Sequence, residues 1–155
     1  MTSIDTPIPP VRAATVDDLE SLSDLFNQYR RFYRQPDDRG LAREFLAERM
    51  ARNESVVFVA PLAGALAGFA QLYPTFSSVS GKRAWILNDL FVSPRHRRQG
   101  VASALLSGCL AHARDTAAAW LTLSTAIDNA SAQALYRRHG FEPDQQYMTF
   151  NHALS

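Results

Sequence analysis

The chain carries one cysteine in 155 residues, Cys109. A lone thiol makes no intramolecular disulfide, which excludes a disulfide-stapled secreted scaffold and fits a reducing compartment. Its neighbours Leu105, Leu106, Leu110 and Ala113 mark it as a small core side chain rather than a nucleophile. The histidines, His96, His112, His139 and His152, include no pair at i, i+3 or i, i+4, so no metal site is expected. No apolar run approaches the roughly 20 residues of a membrane-spanning helix. The opening MTSIDTPIPP lacks the charged and apolar regions of a signal peptide. The expectation is a cytoplasmic protein with no membrane partner. A formal net charge of +1 argues against bulk attraction to nucleic acid, so any basic site must be local.

What is present suits one globular domain. With 46% hydrophobic residues, a chain of this length buries a core without metal or disulfide staples. Residues 1–9 read as a flexible lead-in and 10–155 as the domain. VRAAT (11–15) is a strand candidate, followed by a capping-box-like helix start at Thr15. Leu19, Leu22, Phe26, Tyr29 and Tyr33 then form one apolar helix face ending before Pro36. A second helix is expected over 38–51 with Leu41, Phe45, Leu46 and Met50 inward. SVVFVA and LAGFAQLY pair as a hairpin, and TFSSVSGKR follows as a polar loop.

AWILNDLFV (84–92) is the strongest strand signal, and residues 100–114 make a helix. WLTLST (120–125) is a half-buried strand. NASAQALYRRHGF (129–141) is a helix with Asn129 or Asp128 as N-cap and Gly140 just past its end. QYMTFN (146–151) is read as a closing strand. The order β-α-α-β-β-β-α-β-α-β gives an α/β (α+β) mixed sheet in a single domain, with helices on both faces.

The segment LNDLFVSPRHRRQGVASALL (87–106) carries the chemistry. An apolar strand with one acid, Asp89, runs into the basic turn Arg95-His96-Arg97-Arg98 and then a helix entered at Gly100. Strict alternation places Asp89 on one face with Leu87 and Phe91. A helix start offers unpaired amides and partial positive charge. Small residues at Gly100 and Ala102 let an anion reach those amides, and the cations can pair with phosphate oxygens. The physical reading is a pyrophosphate cradle. A solvated basic loop fits the spacing equally well, and a nucleic-acid contact fits it poorly.

RRQGVA (97–102) resembles the Q/R-x-x-G-x-G/A signature of the GNAT acetyltransferases, matched by Arg97, Gly100 and Ala102. DNASAQALYRRHGF resembles the family's N-x-x-A-x-x-x-Y-x-x-x-G-F segment, matched by Asn129, Ala132, Tyr136, Gly140 and Phe141. LNDLFV, TAIDN, AQALY and YRRFYRQ look most like the branch related to yeast histone and polyamine acetyltransferases.

The resemblance implies a mostly antiparallel, splayed sheet and acetyl-CoA as co-substrate. Arg97, Arg98, Gln99, Gly100, Val101 and Ala102 would hold the pyrophosphate. Main-chain groups of Phe91 and Val92 would hold the pantetheine arm and thioester, with Asn129 contacting the pantetheine. Tyr136 would be the general acid for the departing thiolate, although a core aromatic is the plain reading of its residue type. For Asn129 the plain reading is an N-cap.

The acceptor would be a primary amine of a polyamine-like or amino-acid-like molecule, or a protein lysine. An alkylammonium must lose a proton before attack. Asp89 is the candidate, as base, as water relay or as anchor for a cationic substrate; a structural acid bound to backbone or arginine is the alternative. Tyr33, Tyr73, Phe76, Ser77 and Ser78 are candidates for the acceptor wall. A CoA-binding regulatory module without catalysis is the alternative function, and a homodimer joined through the C-terminal strand is a further expectation.

Overall fold

The computed structural model describes residues 9–154. The lead-in expected over residues 1–9 therefore lies, but for Pro9, outside the described residues. The strands are β1 (Arg12–Ala13), β2 (Val56–Leu62), β3 (Ala65–Ser77), β4 (Lys82–Val92) and β5 (Leu121–Leu123). The helices are α1 (Leu19–Phe32), α2 (Arg39–Ala51), α3 (Val101–Asp115) and α4 (Ala130–Arg138). Two compact units, Met1–Ser124 and Thr125–Ser155, divide the chain.

In the first unit the strands lie in the order β1-β2-β3-β4-β5. The first four pair antiparallel, and β5 joins β4 parallel through the α3 crossover. Helices cover both faces. Leu22, Leu25 and Phe26 of α1 and Leu46 of α2 pack with Val57, Val59, Phe69 and Phe91 in one core. On the other face α3 approaches the strands closely, its His112 ring 4.9 Å from Trp85 and 5.5 Å from Phe58. Gly68 permits that approach. A Cβ there would lie 2.7 Å from the Phe91 carbonyl oxygen and 3.0 Å from Val101 Cγ1. Cys109 is fully buried, and burial raises its thiol to about 12, which makes it a core residue.

Local chemistry sets the helix starts. Asp18 accepts the Thr15 amide at 2.8 Å and pairs with Arg12 at 2.7 Å, tying β1 to the entry of α1. Asp38 caps α2 by accepting the Leu41 amide.

Three expectations are corrected. Leu41 is exposed, and Ala42 takes the inward place beside Leu46. Residues 75–83 are not a polar loop but mostly strand. Thr75, Phe76 and Ser77 pair with Ala84, Arg83 and Lys82, helped by the Arg83 guanidinium over the Phe76 ring at 5.4 Å.

The third correction is in the second unit, where QYMTFN forms no strand. Asp144 accepts the amides of Gln146 and Tyr147 at 2.9 and 3.0 Å. That turn curls the backbone and uses donors a ladder would need. Tyr147, Met148 and Phe150 are exposed.

Candidate active site

β4 carries an irregularity at its chemically loaded point. Gln71 of β3 pairs with Asp89 and Leu72 with Leu87, so Asn88 is an inserted residue with no partner across the ladder. The insertion inverts the side-chain parity. Leu87 shares the α3 face with Trp85, whereas Asp89 shares the α1 face with Phe91. Strict alternation therefore fails at Leu87, and the cause is the bulge. β5 ends at Leu123 opposite Leu87, so the outer edge of β4 from Asn88 to Val92 has no strand beside it. The sheet opens there.

Asp89 is 4% exposed and contacted by donors alone. Gln71 Nε2 donates to Asp89 Oδ2 at 2.6 Å, and Asn88 Nδ2 donates to Oδ1 at 3.0 Å. Burial first, then the nearby Asp89 charge and polar contact with it, pushes the Tyr29 phenol far above the usual range, which keeps it protonated beside the carboxylate. Tyr73 accepts from Gln71 Nε2 at 3.2 Å. Its own phenol is pushed up to about 12, by burial and then by Asp89. Among the described residues, no Lys, Arg or His forms an ion pair with Asp89. Aromatic rings line this corner, with Tyr29 at 5.0 Å from Tyr33 and 5.9 Å from Phe91.

The turn after β4 contains Pro94–His96 as one 3-10 turn, then Arg97, Arg98, Gln99 and Gly100. Arg98 and Gly100 both take positive φ, +63° and +79°. Alternating handedness of this kind turns successive amides toward one side, a concavity suited to an anion. The α3 ladder begins with the Ala104 amide on the Gly100 carbonyl, so Val101 and Ala102 sit at the helix start with its partial positive charge. Gly100 is exposed, and a Cβ there would meet only Pro9 Cδ, at 3.9 Å. A pyrophosphate has room against that backbone.

Arg97 behaves differently from its expectation as a phosphate cation. Its Nε donates to the Val92 carbonyl at 3.3 Å, and its guanidinium lies 5.9 Å from the Phe91 ring and 6.0 Å from Phe32. It closes the strand end, leaving Arg98 as the exposed cation nearest Gly100 in the chain.

In the second unit, Asn129 caps α4 by accepting the Ala132 amide at 3.2 Å. Gly140 follows α4 at φ +85°, and the Phe141 amide reaches back to the Tyr136 carbonyl. Tyr136 is half-buried, its ring 6.2 Å from Phe141.

The first unit thus brings Asp89, Tyr73 and Tyr33 together around Tyr29. Phe76 lies five residues beyond Gln71 on β3, roughly 16 Å along the strand; Ser77 closes that strand and Ser78 lies in the turn after it. Two residues escaped the sequence reading. Gln71 was signalled by a polar side chain inside an apolar strand, and Gly68 by a glycine within the same strand.

A profile of the Acetyltransferase (GNAT) family matches residues 21–141, a span reaching across both units. A Bacillus subtilis (strain 168) protein described as uncharacterized N-acetyltransferase YhfO is 45% identical over 140 residues, covering 90% of this chain and 94% of the relative. A crystal structure of a probable acetyltransferase matches with a TM-score of 0.90 at 41% identity, covering 94% of this chain and 98% of that one. An aminoglycoside acetyltransferase from an uncultured soil metagenomic sample, solved with sisomicin, matches with a TM-score of 0.78 at 18% identity, covering 96% and 97%. That last likeness is one of fold alone.

Proposed function

Because this chain belongs to the GNAT family of N-acetyltransferases, whose members use acetyl-CoA as co-substrate, we propose that it transfers the acetyl group directly to a primary amine. The observation carrying the acceptor side is Asp89. It is a buried carboxylate with donors and aromatic rings around it and no cation of the protein's own, set where the sheet opens.

On the donor side, Gly100, Val101 and Ala102, with the amides of Arg97, Arg98 and Gln99, hold the pyrophosphate. Main-chain groups of Phe91 and Val92, on the unpaired edge of β4, receive the pantetheine arm and the thioester. Asn129 contacts the pantetheine while it caps α4. The acceptor lies against Asp89, Tyr33 and Tyr73. Its ammonium passes a proton to Asp89 or to a water held there, which frees the nitrogen lone pair. The N–C bond to the acyl carbon forms, the C–S bond breaks, the thiolate takes the Tyr136 phenolic proton, and the second proton of the acylated nitrogen leaves through solvent to restore the Tyr136 phenol. The fully buried Cys109 has no part in the transfer.

The acceptor is a polyamine-like or amino-acid-like small molecule or a protein lysine. The stretches LNDLFV, TAIDN, AQALY and YRRFYRQ support a place near the yeast histone and polyamine acetyltransferases. No helix among the described residues is long and apolar enough to cross a membrane, and no described group of His, Cys, Asp and Glu is placed to hold a metal. The reading is of a cytoplasmic enzyme without a metal and without a nucleic-acid partner. β5 is the edge strand of the described sheet, and residues 146–151 offer a second copy an apolar segment for a homodimer; light scattering on the purified chain reads that state.

The alternative is a CoA-binding module without catalysis. Free-thiol release from acetyl-CoA across spermidine, lysinamide, a lysine peptide and sisomicin separates the two. The enzyme releases thiol with at least one amine, whereas the module binds acetyl-CoA and releases none.

A further inference from the structure

Gln71 is fully buried, and its amide is held in one orientation. Nε2 lies 2.6 Å from Asp89 Oδ2 and 3.2 Å from the Tyr73 hydroxyl, while Oε1 is buried with no hydrogen-bond partner. Turning the amide over would set a carbonyl oxygen against a carboxylate oxygen and leave the amide nitrogen buried where Oε1 now has no partner. Gln71 therefore keeps its donor on Asp89 at the expense of its own acceptor, an arrangement that buried amides rarely hold.

The groups facing Asp89 are Gln71 and Tyr73 from β3, Asn88 from β4 and Tyr29 from α1, with the Tyr33 ring edge-to-face on Tyr29. Arg49 of α2 acts electrostatically on Tyr73 but forms its ion pairs with Glu48 and Glu54. An anion ringed by phenols and a neutral amide is complemented by a compact cation rich in N–H donors. An alkylammonium has three such donors and suits the faces of Tyr29, Tyr33 and Phe91.

We propose that Gln71 is a positioning residue that aims the Asp89 carboxylate, so that the acceptor enters as its ammonium form and supplies the cation this corner lacks. This rests on the acetyl-transfer reading above. Gln71 acts through Asp89, so removing its donor weakens the acceptor and leaves acetyl-CoA untouched.

The test is a double-mutant cycle of Gln71→Met, Asp89→Asn and the pair, with the four amines above and acetyl-CoA. Methionine keeps the length of the side chain without its donor, and Gln71→Leu replaces it if that variant fails to fold. Gln71→Met is expected to raise the amine KM about tenfold, with kcat and the acetyl-CoA KM within twofold. In the Asp89→Asn background it should add nothing. Multiplicative losses, or an equal loss of acetyl-CoA affinity, would overturn the positioning role alone. Wild-type protein that acetylates none of the four amines would overturn the acetyl-transfer reading, and this inference with it.

Discussion

Leu87 and Asp89 stand two residues apart on β4 yet face opposite sides of the sheet, because Asn88 is inserted between them without a partner on β3. Leu87 packs under α3. Asp89 is carried to the aromatic face of α1, where Gln71 and Asn88 direct donors at it beside the protonated Tyr29 phenol. One extra residue thus converts an acid in an apolar strand into a carboxylate at the opening of the sheet. Asp89→Asn keeps the shape and removes the charge. We expect kcat/KM for the amine to fall about a hundredfold with acetyl-CoA affinity within twofold, measured by steady-state kinetics and titration calorimetry.

Gly100 holds φ at +79° at the entrance of α3. Gly100→Glu places a carboxylate where the pyrophosphate is proposed to bind and adds left-handed strain of about 1 kcal/mol. Acetyl-CoA affinity should drop at least a hundredfold while the circular dichroism spectrum is unchanged. Calorimetric titration showing wild-type affinity would remove the cradle from this turn.

Tyr136 is assigned the proton for the leaving thiolate. Tyr136→Phe should lower kcat by a factor of about 100 and leave acetyl-CoA affinity within twofold. A kcat equal to that of wild type would leave Tyr136 as packing for Phe141.

Asp18 governs part of the acid stability. Its hydrogen bond to Arg12, reinforced by the Thr15 amide, lowers its carboxyl to about 2 from the ordinary value of 3.8. A depressed folded-state pKa means that the unfolded chain takes up this proton first. The contribution is therefore present above about pH 4 and lost as pH falls toward 2. Arg12 is half-exposed, so screening limits the contribution to about 1 kcal/mol. Asp18→Asn should lower the urea midpoint at pH 7 and lower it clearly less at pH 2.5; equal losses at both would contradict the pair.

Gly68→Ala should destabilise by about 1 to 3 kcal/mol, since its Cβ would meet the Phe91 carbonyl oxygen at 2.7 Å. Because backbone must shift to relieve that contact, acetyl-CoA turnover should fall in the same variant. Urea titration together with thiol release reads both effects.

Much of this architecture was legible because its signals are local. Periodic apolar residues marked α1 and β4, and cap residues marked the ends of α4. The Gly100 turn was readable for the same reason, since a helix entry needs particular small residues. The bulge at Asn88 left no mark, because an inserted residue in a strand changes pairing and not composition. Gln71 became meaningful only once β3 had been set against β4. Residues 146–151 misled because strand propensity counts side chains, whereas Asp144 withdraws backbone donors from any ladder.

The central claim is direct transfer of acetyl from acetyl-CoA to an amine held at Asp89. Initial rates of thiol release, with acetyl-CoA varied at several concentrations of the best amine, test it most directly. Intersecting double-reciprocal lines, with N-acetylated amine as the product, are the predicted result. Parallel lines, or no amine-dependent release from protein that binds acetyl-CoA, would contradict it.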